Sequence, residues 1–454
     1  MVVVFGGGGS WRSELGIDDV EYVDGGDRFD SVDGGVIDDY VLGLILLMMV
    51  MKFLNFWVAF ILTMVDLDPI NIHLSFSPNT YFSYILIGNM KQNWAANFLF
   101  ILLHFFPMRM IISSNQQQPL APALYVFGDS LFDSGNNNDL LTIAKANYLP
   151  YGLNFIKASG RFTNGKTIPD FIAEFLGLPY APPYRKSKPD SVVLTGLNYA
   201  SGACGILSET GLKSGGCLRL SKQVELFEET VKWQLQTYYK TSQELSYYLS
   251  KSLFLITIGS NDYISNYLDD TIIGKIIRKR ISPDQFAQLL IDRLSDQLKR
   301  LHDLGGRKIV FFELGPIGCI PSITRKQKHS GKCVENTNQV ISFFNNKLPG
   351  MLRNLTSTLH GSNFVLGHAN WLGYDAVINP SKYGLTDSSN PCCIAWFNGT
   401  SGCVPFSIPC TSPDEHYFWD GYHLTQTMYS TLASRCINDS TVCMPFTLNQ
   451  LIQM

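Results

Sequence analysis

From about residue 118 the chain alternates short apolar runs with longer amphipathic stretches. Ala123–Phe127 (ALYVF), Leu253–Ile258 (LFLITI) and Lys308–Glu313 (KIVFFE) have the length and continuity of strands buried on both faces. Phe364–Gly367 is a weaker fourth. Between and after them lie stretches with helical spacing: Gln223–Tyr239, Pro283–Leu304, Glu335–Leu359 and Thr425–Ile437. Ser282 before Pro283 supplies an N-cap and a first-turn proline, and Gly305-Gly306 after Leu304 supplies a stop. Strands separated by helices predict βαβ units around a mostly parallel sheet covered on both faces. Beyond residue 118 neither an internal repeat nor an inter-domain linker is visible, so 118–454 reads as one domain.

Upstream the pattern is different. Residues 1–40 hold ten acids, two bases and nine glycines, a composition that cannot bury enough apolar surface to offset its ordering entropy. Residues 41–65 form a long apolar run, broken by Lys52 and Asn55, of the length of a membrane span. A second apolar stretch, Phe98–Phe106, follows Met90-Lys91 and leads into a polar tail, the layout of a signal peptide over 90–117. We therefore expect 1–89 to be an extension outside the working protein, or else a membrane anchor through 41–65. The 118–454 segment is expected to be secreted.

Composition narrows the function. The chain has 454 residues, with 35 Lys and Arg against 38 Asp and Glu, so a nucleic-acid role has no electrostatic support. All ten cysteines lie between Cys204 and Cys443, an even, clustered set that suggests disulfides in an oxidising compartment. Spacing alone cannot give the pairing. Cys204–Cys217, Cys319–Cys333 and Cys436–Cys443 are reasonable local pairs, leaving Cys392, Cys393, Cys403 and Cys410 to pair among themselves. Sequons at Asn354, Asn398 and Asn438 fit the same compartment. The cysteines form no repeated C-x-x-C and have no histidine at ligand spacing, so neither a metal nor another cofactor is expected.

In parallel sheets, ligands bind beyond the carboxyl ends of the strands. There the sequence places Gly128-Asp129-Ser130-Leu131 after the first strand, Gly259-Ser260-Asn261-Asp262 after the second, and Leu314-Gly315-Pro316-Ile317-Gly318 after the third. Near the C-terminus stands Trp419-Asp420-Gly421-Tyr422-His423. A serine hydroxyl becomes a nucleophile only when a base takes its proton. His423 is the candidate base because Asp420, three residues earlier, can hold its tautomer and stabilise the cation. Ser130 is then the nucleophile. Asn261, Gly202 and the Ser130 N–H are candidate donors to an oxyanion.

Five segments in order, FGDSLFDSGNNN (Phe127–Asn138), GLNYASGACGI (Gly196–Ile206), IGSNDY (Ile258–Tyr263), ELGPIGCIP (Glu313–Pro321) and DEHYFWDGYHLT (Asp414–Thr425), resemble the plant GDSL esterase/lipases, a branch of the SGNH hydrolases. GRFTNGKTIPD (Gly160–Asp170) also resembles a segment of that family. The resemblance implies a three-layer α/β/α sandwich with a five-stranded parallel sheet, of flavodoxin-like type, and hydrolysis of carboxylic esters. It implies a triad of Ser130, Asp420 and His423, and an oxyanion hole of Ser130, Gly202 and Asn261. Gly205 stands close enough to Gly202 to compete for that place.

Taken singly, these residues have plainer readings. A serine after a strand is often a turn residue or N-cap, and Asn261-Asp262 alone reads as a turn. Asp129 and Asp133 lack a third ligand and read as acceptors that brace their loop. The ordered set favours a serine esterase acting, as a monomer, on a small or polymer-borne ester. The alternative is a non-catalytic extracellular protein that binds lipid or carbohydrate on the same fold.

Overall fold

The computed structural model describes residues 118–155, 157–187 and 193–454, together with Ile72–His73 and Ile85–Leu86 upstream. The chain divides into two units, Met1–Ile112 and Ser113–Met454. Of the first, only the antiparallel pairing of Ile72–His73 with Ile85–Leu86 is described. Apart from these four residues, the expectations for 1–89, 41–65 and 90–117 lie outside the described residues. Among the described residues no helix is long and apolar enough to cross a membrane.

The second unit is an α/β structure. Its strands are β1 (Leu124–Gly128), β2 (Leu253–Thr257), β3 (Lys308–Phe312), β4 (Asn363–Gly367), β5 (Asp387–Pro391), β6 (His416–Phe418) and β7 (Cys443–Met444). Its main helices are α1 (Ile168–Leu176), α2 (Leu220–Thr230), α3 (Ser242–Lys251), α4 (Ile272–Arg280), α5 (Pro283–Asp303), α6 (Glu335–Thr358), α7 (Ala369–Ile378), α8 (Gln426–Asn438) and α9 (Leu448–Gln453). The main sheet runs β1-β2-β3-β4-β7, and β5 and β6 form a separate parallel ribbon.

All four apolar runs are strands, and they pair in parallel as predicted. Their alternation sends side chains into two cores. Tyr125, Phe127, Phe254, Ile256, Ile309 and Phe311 join one cluster with residues of α2, α3, α5 and α6. Leu124, Val126, Leu253, Leu255, Val310 and Phe312 join another with residues of α1, α8 and α9. With both faces covered, a strand is apolar on both sides of its pleat, which is why these runs are nearly continuous rather than alternating.

The fifth strand corrects the expected all-parallel sheet: β7 pairs antiparallel with β4. It is two residues long, and the Cys436–Cys443 disulfide ties its first residue to the end of α8. The chain leaves that anchored turn against the direction of β4, and so short an edge strand carries no periodic signal.

The caps fall where the sequence put them. The Ser282 side chain accepts from the Gln285 N–H, and Gln285 returns to the Ser282 N–H, closing a capping box ahead of α5. The predicted Gln223–Tyr239 helix is α2 followed by a π-helical turn, Val231–Leu235, and a last short turn.

Candidate active site

Ser130 sits at the carboxyl end of β1, where the chain breaks from the sheet. Gly128 has φ +148°, and a β-carbon there would lie 2.3 Å from the Thr257 carbonyl oxygen, so only glycine lets β1 and β2 approach this closely. Asp129 N–H donates to that same carbonyl. The Asp129 carboxylate accepts from Leu131 N–H at 3.0 Å, closing the turn around Ser130.

The C-terminal segment brings the other two predicted residues to this turn. His423 Nε2 lies 2.7 Å from Ser130 Oγ. His423 Nδ1 lies 2.9 and 2.8 Å from the two oxygens of Asp420. A carboxylate only accepts, so the proton is on Nδ1 and the Nε2 lone pair faces the serine hydroxyl. Asp420 is oriented by its own backbone as well: Oδ1 accepts from the N–H groups of Tyr422 and His423, each at 2.8 Å. All three residues are buried. Burial raises the Asp420 carboxyl, but the His423 charge and the hydrogen bonds from His423, Tyr151 and Tyr422 outweigh it and hold the group below its ordinary range.

Two further residues join this arrangement that were not among the candidate site residues, Tyr151 and Phe162, the latter from within GRFTNGKTIPD. Tyr151 donates its hydroxyl proton to Asp420 Oδ2 at 2.5 Å from 269 positions away. Phe162 packs its ring 5.0 Å from the His423 ring, centroid to centroid.

Asn261 follows β2 in the short helical turn Ser260–Asp262. One of its amide hydrogens reaches the Cys204 carbonyl at 3.0 Å, leaving the second for another acceptor. Its neighbour Asp262 accepts from the N–H groups of Ile206 and Leu207 and from the Thr210 hydroxyl. That carboxylate, with the Cys204–Cys217 disulfide, holds the glycine-rich loop beside the serine. Gly205 packs against Asp262 itself, where a β-carbon would lie 2.5 Å from Oδ2.

Gly202 lies on this loop. Its N–H donates to Asp133 Oδ2 at 3.0 Å, so that amide already has a buried acceptor. The next residue, Ala203, has φ +65° and lines the cleft with Ser130 and Asn261. Among the described residues, the amides of Ser130 and Ala203 have no acceptor.

Asp133 and Asp129 brace loops, as expected. Asp133 Oδ1 accepts from Gly135 and Asn136 N–H at 2.7 Å each. Burial pushes Asp129 up to about 7 and Asp133 up to about 6, against the lowering effect of these N–H donors. Cys392, Cys410 and His416 bring ligand-type atoms within 4.8 Å of one another, but the two sulfurs are bonded to each other and are not thiolates. The three local disulfide pairs are as predicted, and the remaining four cysteines pair as Cys392–Cys410 and Cys393–Cys403.

The triad-like set opens into a cleft of about 680 Å³. Much of its wall is apolar, and Ile143, Trp396 and Phe397 stand exposed along it. Phe397 and Asn398 both have left-handed backbone, with φ +53° and +56°. This volume lies in the range of small-molecule sites.

Comparison with known proteins gives a consistent picture. Residues 124–436 match the family model described as GDSL-like Lipase/Acylhydrolase. The chain is 43% identical over 334 residues to GDSL esterase/lipase 7 of Arabidopsis thaliana, covering 72% of this chain and 90% of that protein. Two further GDSL esterase/lipases of the same plant are 40% and 39% identical, covering 77% and 75% of this chain and 90% of each relative.

Proposed function

The chain belongs to the GDSL-like lipase/acylhydrolase family and is a carboxylic ester hydrolase; from that premise we propose that it is a secreted serine esterase working through Ser130, His423 and Asp420. The observation that carries this reading is the continuous hydrogen-bonded line from Ser130 Oγ through His423 to Asp420.

In this reading Ser130 Oγ attacks the ester carbonyl as its proton passes to His423 Nε2. Asp420 stabilises the imidazolium without taking its proton. The negative charge moves to the carbonyl oxygen, where the Ser130 N–H and the second Asn261 amide hydrogen meet it. On the glycine-rich turn we assign the third donor to the Ala203 N–H. Gly202 shapes that turn while its own amide stays on Asp133. Collapse of the tetrahedral intermediate breaks the C–O bond, and the alcohol leaves with the proton from Nε2. Water, deprotonated by His423, then releases the acid from the acyl-enzyme and regenerates Ser130.

The three-layer α/β/α arrangement is supported by the two cores on opposite faces of the sheet. Secretion is supported by five disulfides and by the exposure of Asn354, Asn398 and Asn438, the three sequon asparagines. The 118–454 segment is the working domain, preceded by a signal peptide at 90–117. Reaction with a fluorophosphonate, followed by peptide mass spectrometry, tests the nucleophile. The adduct is expected on Ser130, and an adduct confined to another serine would overturn the assignment.

A further inference from the structure

We infer that Tyr151 is a positioning residue for the Asp420–His423 pair, a fourth member of the hydrogen-bonded line; this rests on the reading of Ser130, His423 and Asp420 as the triad. Tyr151 is 1% exposed, and its hydroxyl hydrogen-bonds Asp420 and the Cys403 backbone. It lies 2.5 Å from Asp420 Oδ2, and it accepts from the Cys403 N–H at 3.1 Å. Because the backbone N–H can only donate, the phenol's own hydrogen is directed at the carboxylate. Burial and the Asp420 charge push the phenol well above its ordinary value, so it stays a donor through the working pH range.

Without this donor, Asp420 Oδ2 keeps only its share of the His423 Nδ1–H, since both backbone N–H groups go to Oδ1. A carboxylate held on one oxygen can pivot and carry the imidazole away from Ser130. Tyr151 fixes the second oxygen. The Cys403 N–H fixes Tyr151 in turn, from a segment tied back by the Cys393–Cys403 disulfide. Cys393 N–H donates to the Trp419 carbonyl, next to Asp420. The disulfide-bridged loop therefore grips the acid from both its side-chain and backbone sides.

The ionisable groups facing the pair are Asp129, Tyr148, Tyr422 and Tyr429, with Lys145 and Glu313 farther along the cleft wall. None of these donates a side-chain hydrogen bond to Asp420 that could replace Tyr151.

Tyr151→Phe removes the hydroxyl and keeps the ring. A hydrogen bond to a charged group is strong enough that kcat for p-nitrophenyl butyrate is expected to fall about 10–100-fold, with KM kept within about twofold. Asp420 then directs more of its charge to His423, which favours the imidazolium, so the acid limb of the kcat–pH profile moves to higher pH. 3-Fluorotyrosine at 151, a more acidic donor in nearly the same shape, moves the limb to lower pH and carries the test if the phenylalanine variant does not fold. A merely structural tyrosine would move neither limb. Parent kcat in the phenylalanine variant, or profiles superimposed on the parent, overturn the inference. Ser130→Ala is run alongside: full turnover there would instead overturn the triad reading.

Discussion

Phe162 lies against His423 with ring centroids 5.0 Å apart, and its far edge fills the space a side chain on Gly202 would need. A β-carbon at Gly202 would stand 2.7 Å from Phe162 Cζ and 2.9 Å from Asn137 Nδ2. Gly202→Ala must therefore displace the ring that backs the imidazole, or Asn137, whose Nδ2 donates to the Gly202 carbonyl at 2.9 Å. Misplacing a catalytic group by about 1 Å can cost about 100-fold, so kcat for a short ester should fall by at least tenfold. Steady-state kinetics beside a thermal melt checks this. Parent kcat would show that Phe162 does not set the imidazole.

Asn261 is expected to act on the transition state and not on substrate binding. Removing one oxyanion donor typically costs about 10²–10³ in kcat, and Asn261→Ala should fall in that range with KM little changed. A variant that changes KM alone would place Asn261 among the binding residues.

Acidity should stabilise this fold over part of its range. Burial raises Asp129 to about 7 and Asp133 and Asp262 to about 6 from an ordinary 3.8. A carboxyl that holds its proton more tightly when folded favours the folded state when protonated. That contribution is full below about pH 4 and is lost as pH rises through about 6–7. Asp420, held low, works in the opposite sense at more acid pH. Tm is therefore expected to rise as pH is lowered from about 8 to about 5. Asp129→Asn, which keeps an acceptor for the Leu131 N–H, should flatten the upper part of that slope. Thermal melts across this range decide it, and identical slopes would contradict the assignment to Asp129.

The apolar rim should sort substrates by length. Phe397 is 80% exposed on the cleft wall, with Trp396 and Ile143 also exposed along it. A bound hydrocarbon chain would cover these groups, and burying one such side chain is worth about 1.5–3 kcal/mol. Phe397→Ala is expected to lower kcat/KM for octanoate esters by about tenfold while leaving acetate esters near parent values. Equal effects on both esters would place the chain elsewhere.

The parts of this protein that were legible in the sequence are those in which local pattern and burial coincide. β1 to β3 were visible because both faces are covered, so all but the end positions, such as Thr257 and Lys308, are apolar. Ser130 and Asn261 were legible from their places after two of those strands, and Asp420 with His423 from a spacing of three. α1 was missed although Thr167 and Asp170 form a capping box ahead of it, and α3 and α9 have the same signature at Thr241/Glu244 and Thr447/Gln450. Those helices are short, and their caps are a stronger signal than their periodicity. β5, β6 and β7 are too short or too polar to leave a period. Tyr151 reaches the site from across the chain, and nothing near it in sequence marks that contact; Phe162 lies in GRFTNGKTIPD, a segment whose pattern does not say that it meets His423. At Gly202 the residue type was legible, but the direction of its amide depends on Asp133, which is 69 positions away.

Turnover of p-nitrophenyl acetate and butyrate by the parent protein and by Ser130→Ala tests whether Ser130 is the nucleophile of an esterase. The variant loses the attacking atom while the cleft and the Asn261 amide remain, so the predicted loss is of several orders of magnitude, with an unchanged melting temperature. Equal turnover by the two proteins would show that Ser130 is not the nucleophile.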